Sequence, residues 1–130
     1  MSGFSDYLED KVLEHVFGGK AFTAPSSLHV ALFTVAPTDT GGGTEVSGGA
    51  YARQTATFNV SGTNPTTATN AAAIEYPTAT ADYGTVVAVG IFDASSSGNL
   101  LAYAALTANK TVSSGDVFRF DAGDLDITLA

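Results

Sequence analysis

The stretch TGGGTEVSGG is the part of this sequence that most resembles a site for chemistry. Five glycines fall between Gly41 and Gly49, and Arg53 follows shortly after them. Glycine-rich loops can hold phosphates, but a P-loop also needs a Lys-Ser/Thr pair after its glycines and then a helix. Here the glycines lead into YARQTATFNV at 51–60, whose alternation is typical of a strand. We therefore interpret residues 39–50 as a connecting or partner-contacting loop.

Four aspartates near the C-terminus form the second candidate site. They are Asp116, Asp121, Asp124 and Asp126. Hard cations such as Ca²⁺ bind clustered oxygens, but this spacing departs from the EF-hand pattern. Ordinary turn-forming aspartates are the alternative that we favour, so we expect no metal and no other cofactor.

The remaining residue types do not assemble a recognisable catalytic set. His15 and His29 lack metal-ligand spacing and a companion histidine. The sequence has no Gly-x-Ser-x-Gly elbow, and it has no Trp to serve as a sugar platform beside paired carboxylates. The prediction is a protein without enzymatic activity and without catalytic residues.

Composition limits the class of protein and its partners. The 130 residues fit one domain, and none of them is a cysteine. The sequence has thirteen Asp or Glu residues and five Lys or Arg residues, which gives a net charge of −8. Nucleic acid and anionic membranes are therefore poor partners, because both are bound through clustered positive charge. No segment has the length and apolarity of a membrane span, and the acidic start MSGFSDYLEDK is unlike a secretory signal. Synthesis in the cytoplasm is expected.

The N-terminus predicts one amphipathic helix, at roughly residues 5–17. Phe4, Leu8, Val12 and Val16 fall at i, i+4 spacing. Ser5 or Asp6 suits the N-cap, and the Gly18–Gly19 pair suits the C-terminal stop. We expect the Phe4/Leu8/Val12/Val16 stripe to dock against the β-domain or a neighbouring copy.

After residue 19 the sequence predicts strands. Short runs rich in Val, Ile, Phe, Tyr and Thr alternate with turn residues, which is typical of a sandwich or barrel. The expected fold is mainly β: a single β-sandwich or jelly-roll-like domain of about 7–8 strands over 20–130, preceded by the short α-helix and its cap over 1–19. The predicted strands are 27–34, 51–60, 71–76, 85–93, 100–106, 110–112, 117–120 and 125–129.

Two features of this β region carry more specific predictions. The run AVGIFD is apolar on both faces, which favours a central strand, and its Gly90 predicts a bulge or a close approach by another element. Residues 61–82 are dominated by Thr, Ala, Asn and Pro and have little to bury. They are expected to form a long excursion.

The glycine-rich loop is the predicted contact with a partner. The residues assigned to that contact are Gly41, Gly42, Gly43, Glu45, Gly48, Gly49 and Arg53. A loop with so many glycines is costly to order, so we expect the partner to order it, with Glu45 free to meet a cation there. For Arg53 the favoured role is an ion pair or a fork to backbone carbonyls that anchors the loop, and the alternative is an intersubunit contact.

Four stretches together resemble a family of small tailed-phage virion proteins. They are SDYLEDKVLEHVFGG, LHVALFTVAPTDTGGGTEVSGGAYARQTATF, YPTATADYGTVVAVGIFDASSSGNLLAYAAL and SGDVFRFDAGDLDITLA. Members of this family, notably in cyanophages, are labelled tail fibre proteins and are also found as capsid cement or decoration proteins. The resemblance covers nearly the whole chain.

The resemblance implies a β-rich structural protein on the outside of a phage particle. The main hypothesis is a cement protein on the capsid surface, bound to the major capsid protein and to neighbouring copies of itself as a trimer or dimer. The alternative is a tail fibre or tail appendage subunit that contributes to host attachment. A carbohydrate-binding module is the third functional hypothesis, and a hydrolytic enzyme is the last.

Overall fold

The computed structural model describes residues 3–129. Within this range the chain is mainly β, with one short helix, as the sequence predicts. The elements are β1 (Gly3–Phe4), α1 (Asp6–Val16), β2 (Leu28–Val35), β3 (Thr44–Glu45), β4 (Gln54–Ala56), β5 (Phe58–Ser61), β6 (Thr66–Asn70), β7 (Ile74–Glu75), β8 (Gly84–Phe92), β9 (Leu100–Val112), β10 (Arg119–Phe120) and β11 (Asp126–Leu129). No helix in this range is long and apolar enough to cross a membrane.

The strands form one large antiparallel sheet and two small ones, in a sandwich-like arrangement. The large sheet has the order β1-β9-β8-β2-β3, and β4 also pairs with β2. The small sheets are β11-β6-β5 and β10-β7. The predicted central position of AVGIFD is confirmed, because β8 lies between β9 and β2.

The large sheet buries side chains on both faces. Val30 and Leu32 of β2 belong to the main core, together with Tyr76 and Phe118 from outside the large sheet. Ala31 and Phe33 belong to a smaller cluster with Ala88. This division follows the alternation of the sequence, since successive residues of a strand point to opposite faces.

Gly90 of β8 is closely packed against side chains of the neighbouring strands. A Cβ atom at this position would lie 2.8 Å from Phe33 Cε1 and 2.9 Å from Leu100 Cδ1. The predicted close approach of another element is therefore confirmed, and no larger residue fits without displacing these side chains.

Helix α1 begins as predicted, but only part of its apolar stripe packs. Ser5 is the N-cap, and its hydroxyl accepts a hydrogen bond from Leu8 N at 3.2 Å. The helix packs on β1 and β9, with Phe4, Leu8 and Val12 half-buried. Val16 is 61% exposed, so it does not dock against the β-domain of its own chain, and its docking against a neighbouring copy stays a prediction.

The strand boundaries differ from the sequence expectation in three places. The predicted strand 51–60 is two strands that separate at Thr57, where the chain leaves the large sheet for a small one. The predicted strands 100–106 and 110–112 are one strand, β9, with an irregular register against β8. The expectation of about 7–8 strands is low because it misses β6 and also β1 and β3, which have two residues each and are too short for a periodic pattern.

Residues 61–82 are not only an excursion. They contain β7 and also β6, which is the central strand of a three-stranded sheet. The sequence TTATN in β6 has few large apolar residues, but its backbone pairs on both sides, with β5 and β11. Strand pairing therefore outweighs the weak apolar signal that led to the expectation of a loop.

Candidate functional site

Glu45, Tyr51 and Arg53 form a polar cluster, which we call the Arg53 clamp. Arg53 donates from Nε to Glu45 Oε2 at 2.9 Å and from Nη2 to Glu45 Oε1 at 2.8 Å. Tyr51 donates its hydroxyl hydrogen to Glu45 Oε2 at 2.7 Å. The pairing is bidentate, which is the strongest geometry available to an arginine and a carboxylate.

Arg53 also fastens a distant turn. Its Nη1 donates to the carbonyl oxygens of Ala94 at 3.0 Å and Ser97 at 2.8 Å. The guanidinium lies 3.8 Å from the centre of the Phe92 ring, a cation–π geometry. Only 7% of the Arg53 side chain is exposed. The favoured prediction for Arg53, an ion pair or a fork to backbone carbonyls, is confirmed, and the side chain makes both contacts.

The charges of the clamp are mutually stabilised. Burial alone raises the pKa of Glu45, but hydrogen bonds from Arg53 and Tyr51 outweigh it and hold that pKa below its ordinary value. The hydrogen bond to Glu45 raises the pKa of Arg53. Burial, and then the bond to Glu45, raises the pKa of Tyr51. The expectation that Glu45 is free to meet a partner's cation is therefore wrong, because Arg53 and Tyr51 already occupy its carboxylate.

The five glycines of the loop divide into two groups. Gly43 and Gly49 have positive φ and pack on backbone, since a Cβ would lie 2.6 Å from Val35 O in the first case and 2.8 Å from Ala81 O in the second. Gly41, Gly42 and Gly48 also have positive φ, but a Cβ there would meet nothing within 4 Å. The second group leaves open backbone at the surface.

The loop is held by hydrogen bonds within the chain. Thr38 N donates to Gly41 O at 2.9 Å, and Val46 N donates to Leu32 O at 2.9 Å. Between these contacts β3 pairs with β2. The expectation that a partner must order this loop is wrong, because the chain supplies the ordering contacts itself.

A cleft of about 590 Å³ lies between the start of α1, the glycine loop and the turn before β9. Tyr7, Asp39, Phe92 and Asn99 are among its lining residues. Tyr103 donates a hydrogen bond to Asp39 Oδ1, and this bond raises the pKa of Tyr103. The described lining residues offer polar groups and backbone, but they do not place a nucleophile beside a base.

A larger groove of about 880 Å³ runs between β9 and the segment that carries β10 and β11. Its apolar lining includes Leu106, Phe118, Leu125 and Ile127. Nothing in the sequence pattern singled out this groove, because its lining comes from segments that lie far apart in the chain.

The aspartate cluster and the histidines make local contacts. Asp116 and Asp124 accept hydrogen bonds from backbone N–H groups within their turns, and Asp126 accepts one from the Thr69 hydroxyl. Between residues 3 and 129, no three His, Cys, Asp or Glu side chains converge as a metal site would require. His15 Nδ1 lies 3.1 Å from Lys20 O, and His29 Nε2 lies 2.9 Å from Ser27 Oγ.

A small, mainly antiparallel β chain, whose largely buried Arg53 side chain fastens loops, has the features of a structural protein. The sequence model of the family described as "Podophage GP4 fiber I protein gp80" matches residues 3–128. The chain therefore belongs to this family, and the resemblance to tailed-phage virion proteins is confirmed. A search of curated proteins gave no match.

Proposed function

We propose that this protein is a non-enzymatic structural subunit of a phage fibre or tail appendage that contributes to host attachment. The observation that carries the proposal is the family match over residues 3–128, whose description names a podophage fibre protein. That description favours the fibre alternative over the capsid-cement hypothesis, which stays a prediction.

The polar contacts of the described chain support a structural role. The buried guanidinium of Arg53 forms an ion pair with Glu45 and donates hydrogen bonds to two turn carbonyls, so it stabilises the fold. Lys11, Lys20 and Arg119 also pair with carboxylates. The surface is therefore strongly acidic, which makes a polyanion such as nucleic acid a poor partner.

The exposed part of the glycine loop is the surface that we assign to contact with another virion protein. Gly41, Gly42 and Gly48 leave backbone uncovered, and the first two line the cleft beside α1. A backbone without side chains lets another chain approach closely. In this proposal the partner binds the exposed backbone at Gly41, Gly42 and Gly48, in a loop that the chain itself orders.

Location and copy number test the proposed function. Purified particles are labelled with gold-conjugated antibody against this protein and viewed by negative-stain electron microscopy, and copies per particle are measured by gel densitometry. We expect label at the tail and a few to a few tens of copies. Label over the whole shell, with hundreds of copies, would overturn the fibre assignment in favour of the cement role.

The loop contact is tested with matched surface variants. Thr40→Arg adds a bulky charged side chain on the exposed loop, and Thr63→Arg adds the same side chain on an exposed turn elsewhere. Both variants are expected to fold like the parent. Only Thr40→Arg is expected to reduce incorporation into particles, and equal incorporation of the two variants would remove the loop from the contact.

A further inference from the structure

Strand β5 forms one edge of the small sheet β11-β6-β5, and its outer side, which we call the β5 edge, has no strand beside it in the described chain. The ladder between β5 and β6 begins where Thr57 O accepts a hydrogen bond from Ala71 N at 2.8 Å. Hydrogen-bonded and non-hydrogen-bonded pairs alternate along an antiparallel ladder. Every second residue after Thr57, namely Asn59 and Ser61, therefore directs its backbone groups toward β6.

The residues between them, Phe58 and Val60, direct their N–H and C=O groups away from β6. No hydrogen bond to these four groups is formed within residues 3–129. Val60 is 70% exposed, so nothing in the described chain covers this end of the strand. The β5 edge therefore presents donors and acceptors at the alternate spacing that an added strand requires.

The β5 edge carries no charge in a strongly acidic protein. Residues 54–74, which include β5 and β6, contain no Asp, Glu, Lys, Arg or His. Strands β3, β9 and β11 at other sheet edges carry Glu45, Lys110 and Asp126, respectively. Charged side chains on edge strands oppose pairing with another chain, and β5 lacks this protection. Two copies with a net charge of −8 each repel one another, so an uncharged hairpin is where they can approach at low electrostatic cost.

The side chains of β5 also suit pairing with a second β5. Phe58 and Val60 lie on one face of the strand and Asn59 on the other, since successive residues alternate. Phe58 packs partly against the main core, while Val60 lies exposed beyond it. If two β5 strands run antiparallel with their Asn59 residues opposite each other, each Phe58 lies opposite Val60 of the second copy. An apolar side chain then meets an apolar side chain in both halves of the contact.

We propose that β5 of one copy pairs antiparallel with β5 of a second copy, about a twofold axis between the two Asn59 residues. Phe58 of each copy exchanges both backbone hydrogen bonds with Val60 of the other, which satisfies the outward-facing groups. The second copy is the occupant because its β5 offers the same length, the same uncharged residues and the matching apolar pairs. The contact is isologous and closes with two copies, joining the small sheets as β11-β6-β5-β5-β6-β11. Thr63 lies in the turn beyond the paired residues. The inference goes beyond the proposed function and does not rest on it, because isolated protein tests it.

The first test is sedimentation velocity of the isolated protein at concentrations up to about 1 mM. We expect a dimer that strengthens as salt is added, because salt screens the repulsion between acidic copies. Val60→Lys should weaken the dimer by about tenfold or more, since a lysine on an edge strand opposes pairing. The matched control is Val35→Lys, which changes the net charge equally at another exposed valine and should not weaken the dimer. A monomeric parent at every concentration, or equal weakening by the two variants, would overturn the proposal.

The second test determines the register with single cysteines, which the chain otherwise lacks. Asn59→Cys places two thiols at a non-hydrogen-bonded pair with Cα atoms about 4.5 Å apart, within reach of a disulfide. Ser61→Cys is the control at another exposed position of β5. In the proposed register Ser61 lies opposite Thr57 of the other copy, so its two thiols are about 13 Å apart along the strands. Oxidation should cross-link Asn59→Cys much faster than Ser61→Cys, and equal rates would exclude the proposed pairing. Circular dichroism of both reduced variants checks that they fold like the parent.

Hydrogen exchange tests the backbone pairing itself. The amides of Asn59 and Ser61, which bond to β6, should be protected at every protein concentration. The amides of Phe58 and Val60 should exchange fast in dilute protein and at least several-fold more slowly in concentrated protein. Protection of Phe58 and Val60 that appears on phage particles but not in concentrated isolated protein would assign the β5 edge to a different virion protein, and would overturn pairing between copies.

Discussion

Arg53 satisfies nearly all of its hydrogen-bonding capacity inside the chain. It contacts both oxygens of Glu45, two turn carbonyls and the face of Phe92. A side chain held in this way cannot reach a receptor or a neighbouring subunit. Its effect is to fix the strand that leaves the glycine loop against the turn between β8 and β9.

We expect Arg53→Lys to lower the free energy of unfolding by about 2–3 kcal/mol, because an ammonium cannot reproduce the planar fork and leaves buried acceptors unpaired. Arg119→Lys is the control. Its side chain is 50% exposed, so a change of less than about 0.5 kcal/mol is expected. Urea unfolding of the isolated domain measures both values, and similar losses for the two variants would contradict the role assigned to Arg53.

Acid should weaken the clamp. The pKa of Glu45 is lower in the folded chain than its ordinary value, despite burial, because Arg53 and Tyr51 donate hydrogen bonds to it. A carboxyl whose folded pKa lies below its unfolded pKa stabilises the fold above the unfolded value, which is about 4.3 for Glu. That stability is lost as the pH falls from about 5 through the lower folded pKa.

The measurement is thermal unfolding of the parent and of Glu45→Gln between pH 7 and pH 2.5. The variant should be less stable at neutral pH and should lose less stability on acidification. Asp93 also has a lowered pKa, since hydrogen bonds from Asn99 outweigh burial, so part of the acid response should remain in the variant. Parallel curves for the two proteins would show that Glu45 does not contribute.

At the scale of elements, the glycine loop combines two kinds of glycine that the sequence alone does not distinguish. Gly42 and Gly43 have φ values of 76° and 73°. Only Gly43 also lies against backbone, at Val35 O and Pro37 N. A residue with a side chain would therefore have a strained backbone at both positions, and at Gly43 its Cβ would also collide with neighbouring backbone.

Alanine at each position separates these effects. Gly42→Ala should cost about 1–2 kcal/mol from the left-handed backbone alone. Gly43→Ala should cost about 3 kcal/mol or more, because the methyl group also collides with backbone that cannot move aside. Chemical denaturation measures the difference, and equal costs would show that the turn from β2 into the loop shifts to make room.

Helix α1 provides the second test at this scale. Val12 is half-buried and Val16 is 61% exposed. Val12→Asn should therefore lower the stability of the isolated chain by about 1–2 kcal/mol, while Val16→Asn should change it by less than about 0.5 kcal/mol. Thermal unfolding at low protein concentration, where copies stay apart, gives both values. The reverse order would mean that the wrong side of the helix has been placed on β9.

The sequence predicted those elements whose signal is local. The helix follows from its cap and periodicity, and β2 and β8 follow from long apolar runs. The corner at Thr57 could not be predicted, because alternation continues through it while the pairing partner changes from β2 to β6. Arg53 was identified as an anchor, but Tyr51 and the carbonyls of Ala94 and Ser97 were missed, because these contacts join segments far apart in the sequence.

At the scale of the whole molecule, several contacts that complete the fold are non-local pairings of weak segments. Strand β6 carries few apolar residues and is nevertheless the centre of a sheet, and β1 adds only two residues to the edge of β9. The apolar groove of about 880 Å³ likewise takes its lining from β9 and from the distant segment that carries β10 and β11. The net charge of −8 follows from the composition, but only the fold shows that Lys11 and Lys20 both pair with Glu14.

The attachment of α1 has a mechanical consequence. The helix is joined to the sandwich on one side by β1, and on the other by residues 18–27, a largely exposed segment without strand pairing. A tensile force on the helix loads the two-residue β1 ladder from its end, together with the packing of the helix on β9, so these few contacts break before the sandwich unfolds. The ten residues of the connector can then extend to roughly 33–36 Å while the sandwich remains folded. Pulling single molecules by the helix and by β11 should show this short extension before the main unfolding event, and deleting four connector residues should shorten it by about 13 Å.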